Sequence, residues 1–177
     1  SFTNNSTTNV EAGALNVSST TYVSGPGSAV NVFAGAQHVL GAITANGAMS
    51  GNAVGPVAVV GNLTTSGLTT NFTGASGIRW QNGQVNTGRS SGSEWSNLGL
   101  MTIELANDRF LSDSLLRNRG AMIIDMADRL LQFNSATLIN SQNTLELRSV
   151  VFNQWSGATL VRNDATMRKT TSGVVTD

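Results

Sequence analysis

The chain has 177 residues, enough for a substantial apolar core, with a net charge of zero and only 11% charged residues against the usual ~25%. Without net charge, long-range attraction to nucleic acid or to an anionic membrane surface is not favoured, so neither is expected as a partner. There is no cysteine, which excludes disulfides, and no apolar run approaches the ~18 residues that membrane insertion requires.

The N-terminal region contains an internal repeat. The pattern N-V-x-A-G-A-x-x-V occurs at 9–17 and again at 31–39, 22 residues later. Between the copies, the sequence S-G-P-G-S at 24–28 is a strong turn signal. A repeat of this length is typical of one turn of a β-solenoid, or of one strand–turn–strand unit in a fibrous β shaft.

Residues 43–72 carry the same β signal. Short runs of Val, Ile, Leu and Thr are separated by Gly, Asn or Ser, which predicts strands and turns. Segments 43–51 and 59–67 are also related at an offset of 16. No residue between Glu11 and Arg79 is charged, although roughly a quarter to a third of surface positions normally are. We therefore predict a repetitive β structure whose flanks are covered by copies of itself.

The charge distribution predicts a domain boundary. Nearly all charged residues lie from Arg79 onward, and such a change in composition favours two parts. We predict a repetitive β shaft at 1–78 and a β-rich head domain at 79–177.

Two segments of the predicted head leave a choice between helix and strand. Residues 112–118 have the capping residues and following glycine of a short helix. Residues 121–133 fit either an amphipathic helix or two strands that break at Ala127–Asp128. Strand is favoured for 122–126, although the sequence leaves 121–133 open, and at most one or two short helices are expected.

The C-terminal region repeats the offset of 22. The segment F-N-S-A-T-L-I begins at Phe133 and W-S-G-A-T-L-V begins at Trp155. This alignment places Trp155 over Phe133 and predicts that Trp155 belongs to the core. Residues 144–152 alternate for several positions and predict one strand.

Two motifs resemble those of a known family. The sequence V-G-N-L-T-T-S-G-L-T-T at 60–70 resembles the G-N-L-T-x-S-G repeats of bacteriophage tail fibres and related spike proteins. The sequence I-R-W-Q-N-G at 78–83 resembles the G-I-x-[WF]-x-[ND]-G segment that often follows such a shaft. The resemblance covers about 43–88. It implies an all-β, intertwined homotrimeric fibre on a virion tail or outside a cell, whose C-terminal head binds a host-surface glycan or protein.

The sequence offers little support for catalysis. His38 is the only histidine, so neither a His-rich metal site nor a Ser–His–Asp triad is expected, and a structural role is favoured. Asp125 with Asp128, or Glu104 with Asp108, could supply the carboxylate pair of a glycoside hydrolase. Asp113, Asp125 and Asp128 each have an arginine nearby in sequence, which favours surface ion pairs. We predict no catalytic, cofactor-binding or metal-binding residue, and an enzyme is disfavoured but left open.

A polar loop supplies the candidate receptor-binding residues. The R-S-S-G-S segment from Arg89 to Ser93 is a loop by composition, and Glu94 and Trp95 follow it. Aromatic side chains with a polar handle suit exposed contacts. We predict receptor contacts at Trp95, Arg89 and Glu94.

The sequence thus predicts an attachment fibre that binds a host-surface receptor through its C-terminal head. Two alternatives stay open. One is a single-chain right-handed β-solenoid that acts in adhesion or degrades a polysaccharide, and the other is a purely structural virion protein.

Overall fold

A computed structural model describes residues 1–104 and 107–170. These residues form β-strands joined by short corners, and their single helical segment is a 3₁₀ turn at Arg89–Ser91. The predicted all-β class is therefore confirmed. The strands are β1 Phe2–Asn4, β2 Thr7–Val10, β3 Ala14–Val17, β4 Thr20–Ser24, β5 Ala29–Val32, β6 Gln37–Leu40, β7 Ile43–Asn52, β8 Val57–Val59, β9 Leu63–Thr64, β10 Leu68–Thr73, β11 Ile78–Trp80, β12 Gln84–Asn86, β13 Trp95–Asn97, β14 Leu100–Glu104, β15 Arg109–Ser112, β16 Leu115–Asn118, β17 Ala121–Asn134, β18 Thr137–Asn140, β19 Thr144–Ser156, β20 Leu160–Asn163 and β21 Thr166–Lys169.

Each strand pairs in parallel with the strand one turn further along the chain. The spacing ranges from 19 residues, between His38 and Val57, to 27 residues, between Leu68 and Trp95. Three strand segments make one turn, and about eight turns follow one another. A coil of parallel strands with this period is a parallel β-solenoid.

The pairings define three parallel sheets along the solenoid. Sheet A contains β1, β4, β9, β12 and β15 with parts of β7, β17 and β19. Sheet B contains β2, β5, β10, β13, β16, β18 and β20 with the second part of β7. Sheet C contains β3, β6, β8, β11, β14 and β21 with the first parts of β17 and β19.

The core consists of apolar columns that run along the solenoid. Because side chains alternate across a strand, every second residue points inward and stacks on its partner in the next turn. Each fully buried aliphatic or aromatic side chain contributes about 1.5–3 kcal/mol. One column of sheet A contains Leu63, Val85, Leu111 and Phe133; one of sheet C contains Ile78, Met101, Met122 and Leu145, all buried.

The uncharged half builds its core within one chain. Val10, Val32 and Ala53 stack along sheet B and are all buried. The buried apolar residues of this half are therefore covered by the chain's own successive turns. Homotrimer formation stays a prediction, and it would join three solenoids through their outer faces.

The strand ladder runs without interruption through the predicted boundary at 78/79. Val57 of β8 pairs with Ile78 of β11, which pairs with Met101 of β14. What changes at this point is the charge of the outer faces. Residues 105, 106 and 171–177 of the predicted head lie outside the described residues.

The helix expected at 112–118 is wrong. β15 ends at Ser112, the backbone turns at Asp113 with a φ of 43°, and β16 follows. The polar residues that suggested a helix cap instead form a corner of the solenoid, because tight corners favour residues that tolerate the left-handed region.

The strand favoured for 122–126 is confirmed, and the choice left open for 121–133 is decided as strand. These residues belong to β17, which turns at Ala127 and Asp128 with φ values of 49° and 60°. This is the break that the sequence indicated. The single strand predicted at 144–152 is also confirmed and extends from Thr144 to Ser156 as β19.

The internal repeats correspond to turns, with two corrections. Asn9 pairs with Asn31, as the offset of 22 predicts. In the C-terminal pair, however, Phe133 pairs with Gln154 rather than Trp155. In the uncharged half, Ile43 pairs with Leu63 at an offset of 20, and the offset of 16 is not a strand register.

Across residues 1–104 and 107–170 there is no helix of the length and apolarity that a membrane-spanning segment needs.

Candidate functional site

An exposed tryptophan lies at a break in the register of sheet A. Phe133 pairs with Gln154 and Asn134 pairs with Ser156, so Trp155 between them has no partner in the ladder. Such an extra residue is a β-bulge, a device that re-aims a side chain. Trp155 is 63% exposed. The prediction that it belongs to the core is therefore wrong.

The corner after the bulge repeats a geometry found in earlier turns. Gly157 has a φ of 72°, and a side chain there would collide with the Ser135 hydroxyl. The preceding turns form the same corner with one left-handed residue each. These residues are Gly88, Asp113 and Ser135, with φ values of 65°, 43° and 50°.

Trp155 and its neighbours form a depression on the outer face of sheet A. The Trp155 ring packs against Phe110 two turns earlier, with the ring centroids 5.4 Å apart and the planes tilted by 55°. The depression has a volume of about 340 Å³, and Gln84, Ser112 and Asn134 complete its lining. It thus combines two aromatic rings with uncharged hydrogen-bonding groups.

The polar side of the depression is ordered by hydrogen bonds between turns. The Asn134 Nδ2 donates to Ser112 Oγ at 3.4 Å. The Ser156 hydroxyl donates to Asn134 Oδ1 at 2.6 Å. The side chains of three successive turns are held in line, which preorganises them for a ligand that lies along the solenoid.

Arg89 contacts the backbone that follows the strands of this depression. From the 3₁₀ turn, its Nη1 donates to the carbonyl oxygens of Ser135 at 3.1 Å and Ala158 at 3.2 Å. Ser135 directly follows Asn134, and Ala158 lies three residues after Trp155. Arg89 therefore spans the corner from turn five to turn eight and contacts the backbone that follows Asn134.

Trp95 lies elsewhere than the sequence predicted. It is fully buried in a sheet B column between Leu68 and Leu116. Its Nε1 donates to Thr70 Oγ1 at 3.0 Å. The polar residues around it occupy the corner and outer positions, while Trp95 itself points inward. The prediction of an exposed contact at Trp95 is wrong.

Glu94 is half-buried and belongs to an ion-pair cluster on sheet B. Its Oε2 lies 2.8 Å from Arg117 Nε, and its Oε1 lies 3.5 Å from Arg119 Nη2. Both arginines belong to the following turn. A receptor contact at Glu94 stays a prediction, but this carboxylate already has two partners.

The aspartates form contacts between turns rather than with the arginines nearest in sequence. Asp125 Oδ2 lies 3.7 Å from Arg148. Asp113 accepts hydrogen bonds from the Ser90 backbone and hydroxyl, both at 2.9 Å. Asp128 Oδ1 accepts from Ser149 Oγ at 2.6 Å. None of the three lines the aromatic depression.

Glu146 is the carboxylate with the most perturbed pKa. Hydrogen bonds from Arg148, Thr170 and Arg168 lower the pKa of Glu146 from 4.5 to about 2. The group stays ionised at any ordinary pH and cannot serve as a general acid. It acts as an anchor for the last turn on sheet C.

His38 is fully buried in sheet C, between Leu15 and Val57. Within the described ranges, no group of three or more His, Asp or Glu side chains is arranged to hold a metal ion.

Comparison of the chain with protein-family models, with curated proteins and with solved structures finds no match in any of the three. Its class is defined by fold and site: a parallel β-solenoid with an aromatic depression on one flank.

A receptor contact at Arg89 stays a prediction, and sequence reasoning missed the pair formed by the half-buried Phe110 and the exposed Trp155. Their separation of 45 residues is two turns, and only the pairing register reveals it. A signal for the bulge is present in the Ser156–Gly157 dipeptide after Trp155, since glycine in a strand pattern often marks a bulge.

Proposed function

We propose that this chain is an attachment protein that binds a host-surface glycan through the depression around Phe110 and Trp155. The observation that carries the proposal is the aromatic pair itself. Two rings lie side by side on an outer face with amides and hydroxyls around them.

The physical argument begins with the cost of exposing Trp155. A large aromatic ring that is 63% exposed forgoes most of the hydrophobic stabilisation that burial would provide. Gln154 pairs with the buried Phe133, so alternation along β19 directs the next residue, Trp155, to the outer face. A large ring at this outer position is understandable if the ring binds something.

The chemistry of the depression fits a sugar. The apolar face of a pyranose ring packs on aromatic rings, and its hydroxyls exchange hydrogen bonds with amides and hydroxyls such as those of Gln84, Ser112 and Asn134. The hydrogen-bonded column along the turns suits an extended glycan chain parallel to the solenoid axis.

The proposed setting is a fibre on a virion tail or outside a cell. The solenoid is a rigid, linear element in which each turn contacts mainly its neighbours. We propose that residues 1–78 form its stem and associate as a homotrimer through their uncharged outer faces. Val23, Phe33 and Val54 are more than 40% exposed there, which supports burial against further copies.

The proposal is tested by binding to immobilised bacterial and animal surface polysaccharides. We expect the native chain to bind at least one of them, and Trp155→Ala and Phe110→Ala to weaken that binding at least tenfold. Leu98→Ala is the matched control, since Leu98 is an exposed apolar residue that lies outside both the depression and the proposed stem. Equal binding by Trp155→Ala and the native chain would overturn the proposed site.

The same assay separates binding from degradation. Release of shorter oligosaccharides, lost in Asp125→Asn or Asp128→Asn, would replace the attachment function with the polysaccharide-degrading alternative.

A further inference from the structure

We infer that the depression is specific for an acidic glycan, with a sugar carboxylate paired to Arg89. This inference rests on the proposed glycan-binding function and names the class of ligand. The observation behind it is a cation that the fold holds against the backbone just after Asn134, a residue of the depression, without a carboxylate partner among the described residues.

Arg89 is held in place by neutral groups. Its Nη1 contacts the carbonyl oxygens of Ser135 and Ala158, and among the described residues no carboxylate lies within 4.0 Å of its guanidinium. Its Nε and Nη2 make no hydrogen bond to any described residue. A planar fork of donors is therefore available on a side chain that is already ordered.

The surroundings of Arg89 do not neutralise this charge directly. The acidic side chain nearest to it along the corner is Asp113, whose backbone carbonyl accepts from the Arg89 backbone at 2.8 Å. The two oxygens of the Asp113 carboxylate accept from Ser90 instead. Asp113 thus fixes the 3₁₀ turn that carries Arg89.

Six of the eight other arginines lie within 4.0 Å of a carboxylate among the described residues, whereas Arg109 and Arg129, like Arg89, do not. Arg79, Arg117, Arg148 and Arg168 each lie within 4.0 Å of a glutamate. Arg89 differs from these four arginines because it lies in the 3₁₀ turn and has no carboxylate partner among the described residues. Arginine is the side chain best suited to bind a carboxylate through two parallel hydrogen bonds.

The geometry assigns complementary roles to the two parts of the site. A sugar ring packs on Phe110 and Trp155, while its carboxylate reaches the corner at Ser135 where the guanidinium lies. Hydrogen bonds to a charged group contribute more than those between neutral groups. Acidic sugars, such as uronic or sialic acids, therefore bind more tightly than neutral sugars of the same shape.

The experiment compares matched ligands. Oligogalacturonate, oligomannuronate and a sialyl-oligosaccharide are measured by calorimetry beside the same compounds with each carboxylate reduced to the alcohol. We expect at least one acidic probe to bind, and its reduced counterpart to bind at least tenfold more weakly. The difference should shrink as salt rises, because exposed charges are screened.

Substitutions of Arg89 test whether this residue causes the preference for the acidic probe. Arg89→Gln should remove the preference for the acidic probe while leaving the weaker binding of the reduced one. Arg89→Lys, which keeps the charge but not the fork, should restore part of it. Arg129→Gln is the control, since Arg129 is exposed on a different corner. Thermal unfolding of each variant checks that the corner stays folded.

The outcomes separate the inference from the proposed function. Equal binding of acidic and reduced probes, or an unchanged preference in Arg89→Gln, overturns the acidic specificity and leaves the glycan site standing. If no polysaccharide or probe binds, acidic or neutral, both the site and its specificity are overturned.

Discussion

At the scale of single residues, His38 is a polar side chain in an apolar column. Its Nδ1 donates to the Leu15 carbonyl at 3.0 Å, while its Nε2 is buried without a partner among the described residues. The rings of Phe2 and Tyr22 lie 6.3 Å and 5.8 Å away. Desolvation lowers the pKa of His38 below 6.5, outweighing the Leu15 hydrogen bond that raises it.

The lowered pKa predicts a loss of stability in acid. Below pH 6.5 the unfolded chain takes up a proton at His38 that the folded chain resists. The free energy of unfolding should therefore fall as pH decreases from 6.5 towards the folded pKa, by up to about 1.4 kcal/mol per pH unit. Urea denaturation at pH 7.5, 6.5 and 5.5 measures this slope.

His38→Leu is the variant that isolates the effect. It keeps the apolar packing, loses the hydrogen bond to Leu15 at a cost of about 1 kcal/mol, and should flatten the slope between pH 6.5 and 5.5. Glu146, with a pKa of about 2, contributes stability that is lost only as pH falls below 4.5. An unchanged slope in His38→Leu would contradict the assignment.

Trp95 and Trp155 occur in similar local sequences, but Trp95 is buried and Trp155 is exposed. Both follow polar residues and precede a serine. Trp95 is in register with Leu68 and Leu116 and points inward. Trp155 lies at a bulge and points outward. The register of the neighbouring turns decides between them, and local sequence does not contain that register.

At the scale of elements, an asparagine ladder joins the last four turns. The Nδ2 of each asparagine donates to the Oδ1 of the next, from Asn97 to Asn118 at 2.9 Å, to Asn140 at 2.8 Å and to Asn163 at 2.7 Å. Asn97, Asn118 and Asn140 are fully buried. Stacked amides of this kind satisfy one another along a cross-strand column.

The ladder predicts that the stability lost on replacing an asparagine depends on its position in the column. Asn118→Leu keeps the volume but leaves the buried Oδ1 of Asn140 without its donor and removes one acceptor of Asn97 Nδ2, so it should lower the free energy of unfolding by about 1–3 kcal/mol. Asn163→Leu, at the exposed end, should cost about 1 kcal/mol or less. Equilibrium denaturation compares the two. Similar losses at both positions would show that the ladder does not act as a connected unit.

At the scale of the whole molecule, the two halves of the chain share one fold but differ in charge. One continuous solenoid runs through all described turns, yet residues 12–78 carry no formal charge. The later turns carry ion pairs across neighbouring strands, such as Arg79 with Glu104. Since the strand pairing is the same in both halves, the two halves differ in the charge of their outer surfaces.

The uncharged surface predicts self-association. We expect a native mass of three times 18.4 kDa at micromolar concentration, measured by light scattering or native mass spectrometry. Because the core forms within each chain, dilution should yield monomers that keep their β-sheet circular dichroism. Phe33→Glu should shift the equilibrium to monomer, and Leu98→Glu, in a charged turn, is the matched control. A monomer at all concentrations would contradict the trimer.

The sequence by itself determined the all-β class, the period near 22 and the change in charge at Arg79. These are properties of local composition and spacing, and turn formers and alternation express them within a few residues. The sequence also suggested Arg89, through its place in a polar loop.

The tertiary structure alone decided the register between turns. Corner lengths vary, so the spacing between paired residues changes from 19 to 27, and one residue more or less reverses which side chains face the core. That is why Trp95 is buried, why Trp155 is exposed beside Phe110, and why Glu94 pairs with arginines of the next turn. The candidate site exists only where those registers bring separate turns together.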